Sequence, residues 1–185
     1  MRKSFLKFSL CFLLAGPVFS NAGKAQVMSN DDLKALMTAD WQRAKAYTLE
    51  YMNTMPADKY SFKAVDSLRS FAQQLLHLAT ANVFLMAQGS DQQPSSWVSF
   101  GLEKRATAQT KDSVMYFVNA SYDYAMEAVK KSDPARWKEQ KEIFGFKTSK
   151  YALMQKAFEH QTHHRGQTTV YIRELNIIPP QEKLF

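Results

Sequence analysis

The amino-acid sequence predicts an all-α protein, a four-helix bundle. Two observations come first. Four stretches place apolar residues at steps of three and four, each bounded by capping residues or prolines. No stretch alternates convincingly between apolar and polar residues, and the 6 glycines are too few and too scattered for a strand-rich or repeat fold.

The chain opens MRKSFLKFSLCFLLAGPVFSNAGKAQ. Arg2, Lys3 and Lys7 precede an apolar run from Phe8 to Phe19, interrupted by Gly16 and Pro17, and small residues follow with cleavage expected after Ala22 or Ala25. This is the layout of a secretory signal peptide. The run falls short of the roughly 20 apolar residues of a membrane span. Leu10 precedes Cys11 where a lipoprotein signal would place a small residue. Residues 1–22 are therefore read as a signal peptide and residues 23–185 as one helical domain. The protein is expected to be exported, periplasmic or secreted, with no membrane anchor after cleavage.

Removal of the leader changes the chemistry available. Cys11 is the only cysteine, so the mature chain has no disulfide, thiol nucleophile or thiolate ligand. The leader takes three of 24 basic residues and none of 17 acidic ones, which leaves +4. That charge supports solubility and gives no reason to expect a nucleic-acid partner. A homodimer is left open.

The first helix follows Ser29 and Asn30, with Asp31 and Asp32 in its first turn and Leu33, Leu36, Met37, Ala44, Tyr47, Tyr51 and Met55 on one stripe. Pro56 stops it. The second opens at Ser70 with Gln73 as capping-box partner, and FAQQLLHLATANVFLMAQ is apolar nearly all round, which makes it central. GSDQQPSS ends it, and the connection from Trp97 to Ala108 is irregular or short-helical and could wall a pocket. The third runs from about Lys111 to Lys130, with Val114, Phe117, Val118, Tyr122, Ala125 and Val129 inward. Tyr116, Tyr122, Tyr124 and Met126 are read as core at this spacing. Asp133-Pro134 breaks the chain, and ARWKEQKEIFGFKT is expected as a mixed connection with one helical turn. Thr148 or Ser149 caps the fourth helix, which runs to about Leu175 before Asn176 and Pro179-Pro180.

Three of the four histidines lie in the fourth helix. Its stripe reads Leu153, Ala157, His160, His164, Gln167 or Thr168, Tyr171 and Leu175, so His160 and His164 share the core face one turn apart. His163 falls on another row, with Lys156, Glu159, Gly166 and Val170, and flanks the pair. His77 sits in LLHLATA on the most apolar helix, where an imidazole needs a partner. Alone, His77 reads as a histidine bonded within the core, and HxxxH alone arises by chance on helices. Together they place three imidazoles at mid-height on two core-facing helices. Three nitrogen ligands with an open fourth position is the layout of a catalytic zinc site. Nickel, iron, cobalt or manganese would also suit imidazole.

The closing segment HQTHHRGQTTVYIRELNIIPP resembles the end of DinB-family proteins: a histidine, three residues, HRGQ, an apolar helix with an arginine, and paired prolines. LRSFAQQLLHLATANVFL resembles that family's second helix with its single histidine, and MPADKYSF its lead-in, so the resemblance spans about Leu33 to Pro180. It implies an up-down-down-up bundle of the DinB/YfiT type whose metal ligands, carried over by position, are His77, His160 and His164. Arg165, Gly166 and Gln167 complete the motif. Arg165 is expected to pair with an acidic residue of another helix or to form a surface salt bridge, Gly166 to admit a close neighbour, and Gln167 to hold a group behind the ligands. His163 departs from the pattern, since relatives often place an aromatic or aliphatic residue there.

The family implies a divalent metal, zinc first, and metal-dependent chemistry on a small-molecule substrate. A hydrolase fits export better than a thiol-dependent transferase, because small thiols are scarce or oxidised outside the cytoplasm. His163, Asp66, Glu50 and Asp123 are the candidates for a general base. The alternative is a metal- or ligand-binding bundle without turnover.

Overall fold

The structure is a computed structural model that describes residues 27–185. The expected signal peptide, 1–22, and its cleavage sites lie outside the described residues. Among these, four α-helices form: α1 (Asn30–Thr54), α2 (Phe71–Ser90), α3 (Lys111–Lys131) and α4 (Lys150–Glu174). Each opens on a side-chain cap, and all but Thr110 of α3 are among those the sequence suggests. Ser29 accepts from the Asp32 amide, Thr110 from Ser113 and Ser149 from Ala152. At α2, Ser70 and Gln73 form the reciprocal capping box, satisfying two backbone donors that the first turn leaves unpaired. No helix among the described residues is long and apolar enough to cross a membrane.

Side-chain pairs give the topology. Thr48 meets Tyr122 and Lys34 reaches Ser132, so α1 and α3 run antiparallel. Asn82 meets Ser121 and Tyr124 reaches Gln92, so α2 and α3 run parallel. Trp41 packs on Phe158 and Tyr51 bonds Thr169, so α1 and α4 run parallel. His77 faces His164 and Gln74 bonds Tyr171, so α2 and α4 run antiparallel. The bundle is therefore up-down-down-up, with the long α2–α3 connection returning the chain to the other end. That connection carries two 3₁₀ turns, Leu102–Lys104 and Ala106–Ala108.

The core is filled from α2, whose Leu75, Leu76, Leu78, Ala79, Val83 and Met86 are fully buried. On α1 the buried stripe runs through Met37, Trp41, Ala44, Tyr51, Met52 and Met55, and Leu36 faces solvent instead of joining it. On α3, Tyr122 is buried but Tyr116 is exposed, a row away from the core.

The segment expected as a mixed connection folds differently. After a 3₁₀ turn at Pro134–Arg136 it forms a hairpin of β1 (Gln140–Ile143) and β2 (Phe146–Ser149), paired antiparallel with Ile143 opposite Phe146. Phe144 and Gly145 are its two loop residues, with φ of 52° and 80°. Two successive positive φ angles suit the right-handed twist of a two-residue hairpin. Phe-Gly takes the place of the usual Asn-Gly, which hides the turn in the sequence.

Gly166 was expected to admit a close neighbour, but among the described residues a Cβ there meets nothing within 4 Å. Gly89 plays that part: its Cβ would fall 2.7 Å from the Lys150 carbonyl oxygen and 2.6 Å from Met154 Cγ. Two substitutions should therefore act with opposite sign. Gly89→Ala forces α2 and α4 apart and should cost about 1–3 kcal/mol as an overpacked contact. Gly166→Ala should stabilise by up to about 1 kcal/mol through helix propensity alone. Urea denaturation midpoints of both variants against the parent protein check this.

Candidate metal centre

The antiparallel pairing of α2 and α4 brings His77, His160 and His164 to one level. Their ring centroids lie 5.1 Å (His77–His160), 4.6 Å (His77–His164) and 4.4 Å (His160–His164) apart. One nitrogen from each lies within 4.8 Å of the others, a group that could hold a metal ion. His164 is buried and the other two are half-buried.

Two neighbours fix which nitrogen is free. Glu103, from the α2–α3 connection, holds His77 Nδ1 at 2.8 Å through Oε2 while Oε1 accepts from Arg69 Nε at 3.0 Å. Gln74, one turn before His77, places Oε1 2.7 Å from His164 Nδ1 and donates through Nε2 to the Tyr171 hydroxyl. Tyr171 in turn donates to the Arg69 carbonyl at 2.5 Å. This chain fixes the polarity of the Gln74 amide, so His164 Nδ1 is the donor and Nε2 keeps the lone pair. The Glu103 carboxylate imposes the same tautomer on His77. Histidines that bind metals are oriented in this way. His160 differs: its Nδ1 is buried with no hydrogen-bond partner among the described residues. Three imidazoles that converge, two of them with Nε2 left as the free lone pair, are a donor set that suits a bound cation.

Electrostatics agree with the hydrogen bonds. Burial, then the neighbouring imidazoles and Arg69, pushes His160 down to about 4 and His164 down to about 3. His77 is also lowered, by burial and by Arg69, against the opposing pull of Glu103. His77 and Glu103 are thus a neutral imidazole donating to a carboxylate, although their separation is that of an ion pair. Neutral imidazole is the form that ligates metals.

The other suggested residues scatter. His163 is exposed and bonds Gln167 through Nε2 at 2.8 Å, so Gln167 supports His163 and none of the three clustered rings. Asp66 shares a polar cleft with Lys63, Arg69, Lys104, His163 and His164. Glu50 pairs with Lys183 and Asp123 with Lys45, both on the surface away from the cluster. Arg165 pairs with no acidic residue among those described. It is buried, donates to Gln161 Oε1 at 3.0 Å, and lies 4.6 Å from the Tyr47 ring centroid.

A model of the DinB family matches residues 28–182. The chain belongs to the DinB family. Among solved structures, this DinB-family chain is similar to a DinB-like protein of Bacillus cereus ATCC 10987, at 15% identity with a TM-score of 0.67, covering 80% of this chain and 95% of that one. It is also similar to a DinB-like protein of Bacillus subtilis, at 19% identity with a TM-score of 0.60, covering 81% and 96%. At such identities the likeness is one of fold. Comparison with curated proteins finds no match.

Gln74 and Glu103 escaped the sequence reading. Gln74 lies in a run apolar nearly all round, and its spacing of three from His77 was the available signal. Replacing it by Leu keeps the volume but strips His164 Nδ1 of its acceptor. Gln74→Leu should cost about 1–3 kcal/mol for the stranded buried donor. Chemical denaturation of the chelator-treated variant measures this, and an unchanged midpoint would show that His164 finds another partner.

Proposed function

We propose that this DinB-family protein is an exported divalent-metal protein that acts on a small-molecule substrate, with His77, His160 and His164 as ligands. The observation that carries the reading is the fixing of two imidazoles as Nδ1 donors by Glu103 and Gln74, beside a third whose Nδ1 has no partner among the described residues. Nothing in a merely packed core calls for three converging neutral imidazoles. Zinc is the first choice for an all-imidazole set, with nickel, iron, cobalt and manganese compatible. Three protein ligands leave a position for substrate. When bound, a divalent ion there supplies a Lewis acid that polarises an oxygen or lowers the pKa of water or a thiol, the chemistry of hydrolases and thiol-dependent transferases.

The chain's own groups divide the remaining work. Glu103 orients His77 and, with both oxygens engaged, is not free as a base. His163 and Asp66, in the polar cleft, are the groups placed to take or return a proton. The signal-like leader favours the hydrolase over the thiol-dependent transferase, because small thiols are scarce or oxidised outside the cytoplasm. A non-catalytic metal- or ligand-binding bundle is the second reading, favoured by the same engagement of Glu103.

Purified mature protein should carry one zinc equivalent by elemental analysis. Alanine at His77, His160 or His164 should each weaken zinc binding by about tenfold or more, while His163→Ala should keep most of it. Loss of the metal from His163→Ala alone would assign the wrong row of α4. Chelation should leave the helical circular dichroism intact, because the core is filled without the metal. Unfolding on chelation would point to a structural ion instead. Export has its own readout: intact mass should place the mature N-terminus between Gly23 and Met28, and residues 2–19 still present on membrane-bound protein would count against a cleaved leader.

A further inference from the structure

A cavity of about 190 Å³ opens directly beside His77 and His160. Its wall is largely apolar: Phe84 and Leu85 from α2, Phe100 from the α2–α3 connection and Phe144 from the hairpin loop, with Thr80 and Ala81 also lining it. Polar groups enter at one end, where His77, His160 and Glu103 stand, and both Glu103 oxygens are engaged. An apolar cavity of about 150 Å³ admits one benzene molecule. This one has room for a single ring and little more.

The aromatic residues at its mouth are the second observation. Phe100 and Phe144 are 67% and 73% exposed, yet both rings turn to Phe84, with centroids 5.1 Å and 5.7 Å from it. Exposed aromatics gathered round a cavity are a feature of ligand sites. Phe144 also occupies a loop position with φ of 52°, which bulky residues rarely adopt and which asparagine or glycine would take without strain. A side chain kept against the local backbone preference, and lining a cavity beside His77 and His160, is placed for contact and not for the turn.

We propose that this cavity receives a single aromatic ring, or an apolar group of that size, from a small molecule whose polar head lies at the three-histidine group. The substrate class is thus a monocyclic aromatic compound with one metal-binding function attached close to the ring. The inference rests on the reading above, that the histidines hold an ion with an open position. Phe144 and Phe100 cover the ring from the solvent side. On the other side of the cluster, the polar cleft with Lys63, Arg69 and Lys104 is left for the rest of the molecule.

Benzohydroxamate and acetohydroxamate, which share a metal-binding head and differ in the ring, test this by isothermal titration against zinc-loaded protein. The ring should tighten binding by about tenfold or more, from the apolar area it buries. Phe144→Asn creates an Asn-Gly loop suited to the hairpin, so its thermal midpoint should hold or rise. The same variant should lose most of the ring's advantage and leave acetohydroxamate binding unchanged. Equal affinity of the two probes for the parent protein would overturn the ring pocket and leave the metal reading standing. Failure of both probes to bind while zinc stays in place would overturn the open position, and this proposal with it. An undiminished ring advantage in Phe144→Asn would remove the hairpin from the site.

Discussion

The close antiparallel contact of α2 with α4 governs the rest of the molecule. At Gly89 the backbone of α2 comes so near Lys150 and Met154 that no Cβ fits. His77 lies twelve residues before Gly89, about 18 Å along the helix at 1.5 Å per residue. His160 and His164 lie ten and fourteen residues after Lys150, at the matching height. A contact at one end of the bundle thus sets which residues meet at its middle. Shifting the register by one turn would set His77 against a different turn of α4, and Gln74 would no longer reach both His164 and Tyr171.

That seam is also where the core stops being purely apolar. Gln74, His164 and Tyr171 are buried and bonded in sequence, ending on the Arg69 carbonyl. Arg165 and Gln161 form a second buried polar group with Tyr122, whose hydroxyl donates to Gln161 Oε1 at 2.8 Å. Such groups add little net stability when satisfied and cost much when they are not. Their effect is to permit one register, because any other leaves several of them unpaired. Burial is also the largest cause of the lowering of the His160 and His164 pKa values. The same packing that aligns the imidazoles keeps them neutral.

Helix existence, order and caps were legible because they depend on local chemistry. Ser70 with Gln73, Ser149, Pro56 and the His160–His164 step act within a turn or two of themselves. What could not be read depends on residues distant in sequence. Glu103 comes from a connection without periodicity, and only the fold sets it beside His77. Gly89 looked like part of a helix stop, and its tight contact appears only when α4 is in place. The buried state of Arg165 defeats a residue-type expectation, because stacking on Tyr47 and bonding to Gln161 compensate for its burial. The hairpin was lost for a local reason: KEIFGFKT mixes charges and aromatics without clean alternation, and Phe144 stands where asparagine would have announced the turn.

The hairpin is not an independent ornament on the bundle. Asp91 caps α2 in the left-handed region, with φ of 58°, and its carboxylate takes both Lys150 and Arg136 at 2.7 Å. The Lys150 ammonium is buried at the first residue of α4 and also meets Glu139, just before β1. A buried ammonium held by two carboxylates cannot lose one without leaving charge uncompensated. The end of α2, the start of α4 and the base of the hairpin are therefore joined by one ionic cluster. The two helices that supply the histidines and the loop that supplies Phe144 share that anchor. The ionic cluster thus ties the hairpin, and the Phe144 it carries, to the same helix ends that meet in the α2–α4 seam.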